Sequence, residues 1–149
     1  MKMAGKLDAE GVRTLGYLHA EEETAGRMEE TLATLVEHPV YDFFPVGLRL
    51  AGRDAVRAYY QHLFDEFLPF VESTELVSEW VGEDALVQEY VVELRKGDAL
   101  ERHFIMGILY VEGELLGGER IWGSEHTLRR LLGPVYDGLD PTPRTEAAG

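Results

Sequence analysis

The chain has 149 residues, with 28 Asp plus Glu against 14 Lys plus Arg and a formal net charge of −14. That balance excludes nucleic acid and anionic membrane surfaces as partners, because phosphate is held by clustered positive charge. There is no cysteine, which excludes disulfides, thiolate catalysis and zinc–cysteine centres, and an apolar content of 45% is that of one folded domain.

No apolar run approaches the roughly 20 residues of a membrane span. Met1 to Glu10 lacks the apolar stretch of a signal peptide, so the expected location is cytoplasmic. Residues 1–14 read as an N-terminal extension, frayed over Met1 to Lys6. Ala25, Met28, Leu32, Leu35 and Val36 then share one face of a 3.6-residue period, which predicts a helix. Leu15 and Leu18 extend it backwards, Glu21 to Glu23 lie near its start, and Pro39 ends it. Val40 to Leu50 reads as extended. After Gly52, the spacing of Val56, Tyr59, Tyr60, Leu63, Phe64 and Phe67 predicts a second helix, stopped by Pro69.

From Ser73 the period changes. Strands are expected over residues 75–81, 85–95, 100–111 and 115–122. Gly beside Asp or Glu punctuates each gap, as in Lys96-Gly97-Asp98 and Glu112-Gly113-Glu114, and successive hairpins make an antiparallel meander. Ser124 caps a last helix with Leu128, Leu131 and Leu132 on its buried side. Residues 134–149, with Pro141 and Pro143, read as a partly disordered tail. Helices segregated from a meander indicate an α+β fold, a curved sheet with helices on one face and a pocket between them.

Five stretches carry a family likeness. They are Thr31-Leu-Ala-Thr-Leu35, Phe44-Pro-Val-Gly47, Leu50-Ala-Gly-Arg-Asp-Ala-Val-Arg-Ala-Tyr-Tyr60, Gly118-Glu-Arg-Ile-Trp122 and Leu128-Arg-Arg-Leu-Leu-Gly133. In this order, over residues 15–133, the chain resembles the nuclear transport factor 2-like superfamily. Within it the chain is most similar to the SnoaL-like group, which includes polyketide cyclases, and to the ketosteroid isomerases. The resemblance implies a cone-shaped α+β barrel, in which helices pack on the concave face of a curved antiparallel sheet, commonly as a dimer through the sheet. Ketosteroid isomerases carry a proton-moving Asp just before the Pro-Val-Gly stretch and a second Asp on the third strand. The matching positions here are Phe44 and approximately Met106, so the resemblance implies no ketosteroid isomerase activity. Where many polyketide cyclases have an Asp before the final helix, this chain has Gly123-Ser124.

Anchoring strand alternation on an inward Phe44 puts Asp42 on the same face as a displaced general base. The same matching sends Glu89, Phe104, Met106, Arg120 and Trp122 into the cavity, with Glu89 and Arg120 as a salt-bridged pair. By the resemblance, His19 lies near and Tyr60 matches a pocket tyrosine of the isomerases, and these two or Arg120 are expected as hydrogen-bond donors. His103, Ile105, Leu109 and Val111 fall on the opposite face, where their exposure predicts a homodimer. No two His residues lie four apart beside a carboxylate, so no metal is expected, and no cofactor. The implied ligand is a small apolar oxygenated molecule. The implied chemistry is cofactor-free proton transfer (cyclisation, dehydration or isomerisation) with Asp42 or Glu89 as base. Two other readings stay open: a ligand-binding protein without chemistry, and a dimerising accessory domain.

Overall fold

A computed structural model describes residues 6–143 of the chain. What the sequence predicts for residues 1–5 and 144–149 lies outside the described residues.

Helix α1 spans Ala9–Thr24, with the Asp8 side chain accepting from the Gly11 amide at 2.8 Å as its N-cap. Val12, Gly16 and His19 are buried along its inner face, so the packed fold begins earlier than residue 15. Gly16 must be bare, since a Cβ there would meet Leu86 Cδ2 at 2.4 Å. The chain turns at Gly26, φ +69°, and a short helix α2 follows over Met28–Ala33. The single helix predicted up to Pro39 is therefore corrected. Leu35 and Val36 already belong to strand β1, Leu35–Phe44. Pro39 is tolerated inside β1 because it falls in the register irregularity between the Leu35–Leu116 and Val40–Gly118 pairs, where no ladder hydrogen bond is lost.

β1 turns back into β2, Leu48–Ala51, and Gly52 leads into α3, Arg53–His62. A π-helical turn over Leu63–Phe67 and a 3₁₀ turn over Leu68–Phe70 end this helix at the predicted proline. The meander is present as β3 (Val71–Val81), β4 (Ala85–Lys96), β5 (Ala99–Glu112) and β6 (Leu115–Trp122). Its last two turns carry Gly97 and Gly113 at φ +60° and +70°. Ser124 caps α4, Glu125–Leu132, by accepting from the Thr127 amide. The segment after Leu132 is ordered further than predicted. Gly133–Gly138 forms a 3₁₀ helix with Tyr136 buried, and β7, Asp140–Pro141, pairs with β2.

Among the described residues, seven strands make one sheet in the order β3-β4-β5-β6-β1-β2-β7. All neighbours are antiparallel except β1 and β6, which run parallel. The sheet is curved and unclosed. α1, α3 and α4 cover one face, over a core that includes Tyr41, Phe43, Tyr60, Leu86, Ile105 and Leu128. Among the described residues no helix is long and apolar enough to cross a membrane.

One glycine holds the parallel pair together. Gly118 sits at φ +148°, and a Cβ on it would lie 1.8 Å from the Val40 carbonyl oxygen. Gly118→Ala is therefore expected to destabilise the fold by about 3 kcal/mol or more, through backbone strain and a clash between packed strands. Urea unfolding measures this, and an unchanged midpoint would show that β1 and β6 tolerate a wider spacing.

Candidate functional site

A cavity of about 250 Å³ opens between α1, the Leu63–Phe70 turns and the concave face of the sheet. Leu63, Phe67, Leu68, Val92, Ile105 and Leu109 make most of its wall apolar. Its polar end is built by His19 and Glu23, four apart on α1, and by Glu119 on β6.

His19 is buried, and its ring is fixed from behind. Its Nδ1 lies 2.7 Å from Thr34 Oγ1, and the Thr34 hydroxyl is already donating to the Thr31 carbonyl at 2.6 Å. The Thr34 oxygen must then accept, so Nδ1 carries a hydrogen. The other nitrogen, Nε2, lies 3.2 Å from Glu23 Oε2, 3.6 Å from Glu119 Oε2 and 3.0 Å from the Tyr60 hydroxyl. Burial alone would lower the His19 pKa. The ion-pair contacts with Glu119 and then with Glu23 outweigh it and raise the value to about 9, which makes the ring an imidazolium at neutral pH.

Tyr60 stands behind this group, with its hydroxyl 2.5 Å from that of Tyr41 and 3.5 Å from Glu119 Oε2. Burial pushes both phenols well above their ordinary range, so they stay protonated and Tyr60 can donate to the carboxylate. Glu119 is 9% exposed, and one of its oxygens is held by these neighbours. The other, Oε1, has no hydrogen-bond partner among the described residues and faces Gly107 on the cavity wall. A Cβ on Gly107 would come within 3.7 Å of it. The hydroxyls of Tyr59 and Tyr90, both on the cavity wall, also lack a hydrogen-bond partner among the described residues. Burial raises the pKa of both phenols, and the charges of Glu23 and Glu119 add to it.

The structure overturns most of the predicted lining through a single slip. Phe43, not Phe44, points into the core; Phe44 is half-buried on the outer face, stacked on Trp122 at 4.7 Å. Opposed residues of neighbouring strands share a face, and the register links Phe44 to Trp122, Trp122 to Met106 and Met106 to Glu89. One wrong anchor thus inverted the whole row. Phe44, Glu89, Phe104, Met106, Arg120 and Trp122 all lie on the outer face, Phe104 at 65% exposure. Glu89 and Arg120 form no ion pair among the described residues, and Arg120 lies over the Tyr110 ring instead. Asp42 is also outside the cavity, neutralised by Arg49 at 2.8 and 2.9 Å, which removes it as a base. Ile105 and Leu109, expected on the exposed face, line the cavity, and His103 is buried. With Phe44 and Met106 outside the cavity, their identity no longer bears on isomerase chemistry.

Of the predicted ligand contacts, His19 lines the cavity and Tyr60 supports it from behind. Glu119, Glu23, Tyr59 and Tyr90 escaped the sequence reading. Two signals pointed to the first pair: the four-residue spacing of His19 and Glu23, and Gly117-Gly118 immediately before Glu119. The extra residue between the Val111–Leu116 and Tyr110–Gly118 pairs is a bulge, and it sets Glu119 on the same face as Leu116.

Among the described residues, two groups bring histidine and carboxylate atoms within 4.8 Å of one another, spacing close enough to share an ion. One is the cavity group of His19, Glu23 and Glu119. The other is Glu101, His103 and His126, where β5 meets α4. In the second, Arg130 grips both Glu101 oxygens at 2.8 and 2.9 Å, and His103 Nδ1 is tied to Thr127 Oγ1 at 2.7 Å. Its donors are committed to joining β5 to α4.

No protein-family model matches this chain, and no curated protein matches it. Solved structures do. An NTF-2 like protein of unknown function from Burkholderia xenovorans LB400 superposes with a TM-score of 0.61 at 16% identity, over 77% of this chain and 84% of that one. A provisionally assigned ketosteroid isomerase from Kribbella flavida DSM 17836 gives 0.65 at 19% identity, over 78% and 80%. A de novo designed protein with a curved β-sheet gives 0.68 at 14% identity, over 89% and 100%. The chain has the NTF2-like α+β cone fold. Likeness at these identities carries the architecture and leaves the chemistry to the cavity itself.

The Glu101 cluster yields a pH-dependent test. Hydrogen bonding from Arg130, then from His103 and His126, outweighs burial and lowers the Glu101 pKa from 4.5 to about 2. A depressed carboxylate contributes stability that is complete above the unfolded value and drains away as pH falls toward the folded one. Stability should therefore drop between about pH 4.5 and 2, and Glu101→Gln should remove this contribution at neutral pH and flatten the slope. Denaturant titrations across that range measure it; equal acid sensitivity in wild type and variant would contradict it.

Proposed function

We propose that the cavity binds a small, mostly apolar, oxygenated molecule and moves a proton on it without a cofactor, with Glu119 as the base. The carrying observation is the asymmetry of that carboxylate, one oxygen held by His19 and Tyr60 and the other free toward the cavity. A general base has this form: it is oriented by fixed donors and open to the atom it deprotonates. The free hydroxyls of Tyr59 and Tyr90 are the donors for a ligand oxygen. A carbonyl accepting from either would be stabilised as its neighbouring C–H bond breaks and negative charge grows on oxygen. Isomerisation and dehydration both begin with this step. Transfer of a proton from carbon to Glu119 leaves an enolate at the tyrosines, and its return to another carbon, or loss of a leaving group, completes the reaction.

The outer sheet face supports a second proposal. Trp80 at 55% exposure, Phe104 at 65% and Trp122 at 40% lie there with Met106 and Ile108, an apolar surface that a monomer rarely leaves in water. A second copy of the chain is the proposed cover. The proposed interface is on the reverse of the face expected from His103, Ile105, Leu109 and Val111.

Two measurements test these readings. Proton transfer is followed without knowing the natural substrate, as hydrogen–deuterium exchange next to the carbonyl in a panel of small apolar ketones, read by NMR. The wild type should accelerate exchange in ketones that bind, and Glu119→Gln should cut the acceleration by about 10²–10⁴-fold. Glu89→Gln should leave it intact. Exchange indifferent to Glu119→Gln would overturn the assignment. For assembly, sedimentation of the wild type should give a dimer, and Phe104→Glu a folded monomer; a wild-type monomer at tens of micromolar would contradict the proposed interface.

A further inference from the structure

From the charge balance of the cavity we infer that its oxygenated ligand also carries a cationic nitrogen, an ammonium group that docks beside Glu23 and leaves the free Glu119 oxygen to the proposed base chemistry. The inference rests on the cavity being a small-molecule pocket.

The charged side chains on the cavity wall are Glu23, Glu119 and His19, and among the described residues the wall has no Lys or Arg. With His19 as imidazolium the group carries a net charge of minus one; with His19 neutral it is more negative still. The sign holds in either state. Glu119 is buried and Glu23 part-exposed; negative charge beside an apolar wall without a full counter-charge is costly, and a bound cation relieves that cost. Glu119, 9% exposed, turns its unpartnered Oε1 into this space. That oxygen is the proposed base, and the ammonium takes Glu23 Oε1, which likewise has no hydrogen-bond partner among the described residues. An ammonium supplies both charge and donor.

The rest of the wall fits an organic cation better than a hydrated metal ion. Leu63, Phe67, Ile105 and Leu109 give a carbon body apolar contact. Tyr59, Tyr90 and Phe67 line the same cavity, and aromatic rings attract a positive end. An anionic ligand meets the opposite fate, since its charge would be buried against two carboxylates with no guanidinium or ammonium to receive it. The net charge of −14 also favours cations on approach.

Calorimetry at about pH 7 with n-hexylamine, 1-hexanol and hexanoate tests this, because a primary amine is then protonated. Hexylamine should bind at least about tenfold tighter than hexanol, with hexanoate weakest. Glu23→Gln and Glu119→Gln should each erode the amine preference while hexanol affinity stays nearly constant. Hexanol binding as tightly as hexylamine would overturn the inference and leave the pocket reading standing. Failure of all three probes to bind would overturn both. Zinc or manganese chloride binding one ion per chain, lost in His19→Gln, with no hexylamine binding, would also overturn it, in favour of a metal centre.

Discussion

His19 reaches across the narrow part of the cone from α1 to the Glu119 carboxylate on β6, and the site depends on that contact. A charged ring in an apolar cavity is stable only if every polar atom finds a partner. Nδ1 finds Thr34 at the end of α2, and Nε2 finds Glu23, Glu119 and Tyr60. Four elements, α1, α2, α3 and β6, therefore converge on one imidazole. Moving any of them by a turn would strand a buried charge. The same network leaves one Glu119 oxygen free, because His19 and Tyr60 both approach the other.

The sheet makes this convergence possible by assigning its faces different tasks. Its concave face carries Gln88, Tyr90, Val92, Ile105, Leu109, Glu119 and Ile121 toward the helices. Its outer face carries Phe44, Phe104, Met106 and Trp122. The bulge at Gly117 sets which residues of β6 go where. Straight alternation from the buried Leu116 would put Gly118 and Arg120 inside and Glu119 out, and the cavity would have gained a guanidinium in place of its carboxylate.

Much of the architecture was legible in the sequence. The α3 periodicity, the meander, its glycine turns and the Ser124 cap are local patterns, and local physics decides them. The end of the first helix was not legible, because Leu35 and Val36 continue a 3.6-residue spacing by coincidence while β6 draws them into a strand. The lining was misread for a different reason. A period of two carries no error signal of its own, so displacing Phe44 by one residue moved Glu89, Met106, Arg120 and Trp122 together. His19 and Tyr60 are reached through the resemblance, which sets them at or near pocket positions of the isomerase helices. Glu119 was hidden beside Arg120, the more conspicuous charge under the wrong parity.

A designed protein shares this architecture with natural ones, so the cone explains where a cavity forms and not what it does. The ionisation of His19 does bear on what it does, and nitrogen-15 NMR of the histidine side chains across pH reads it directly. The geometry predicts both ring nitrogens protonated at neutral pH, titration near 9, and a hydrogen retained on Nδ1 above that point. A ring that is neutral at neutral pH, or that keeps its hydrogen on Nε2 instead, would contradict the held-and-free arrangement of Glu119.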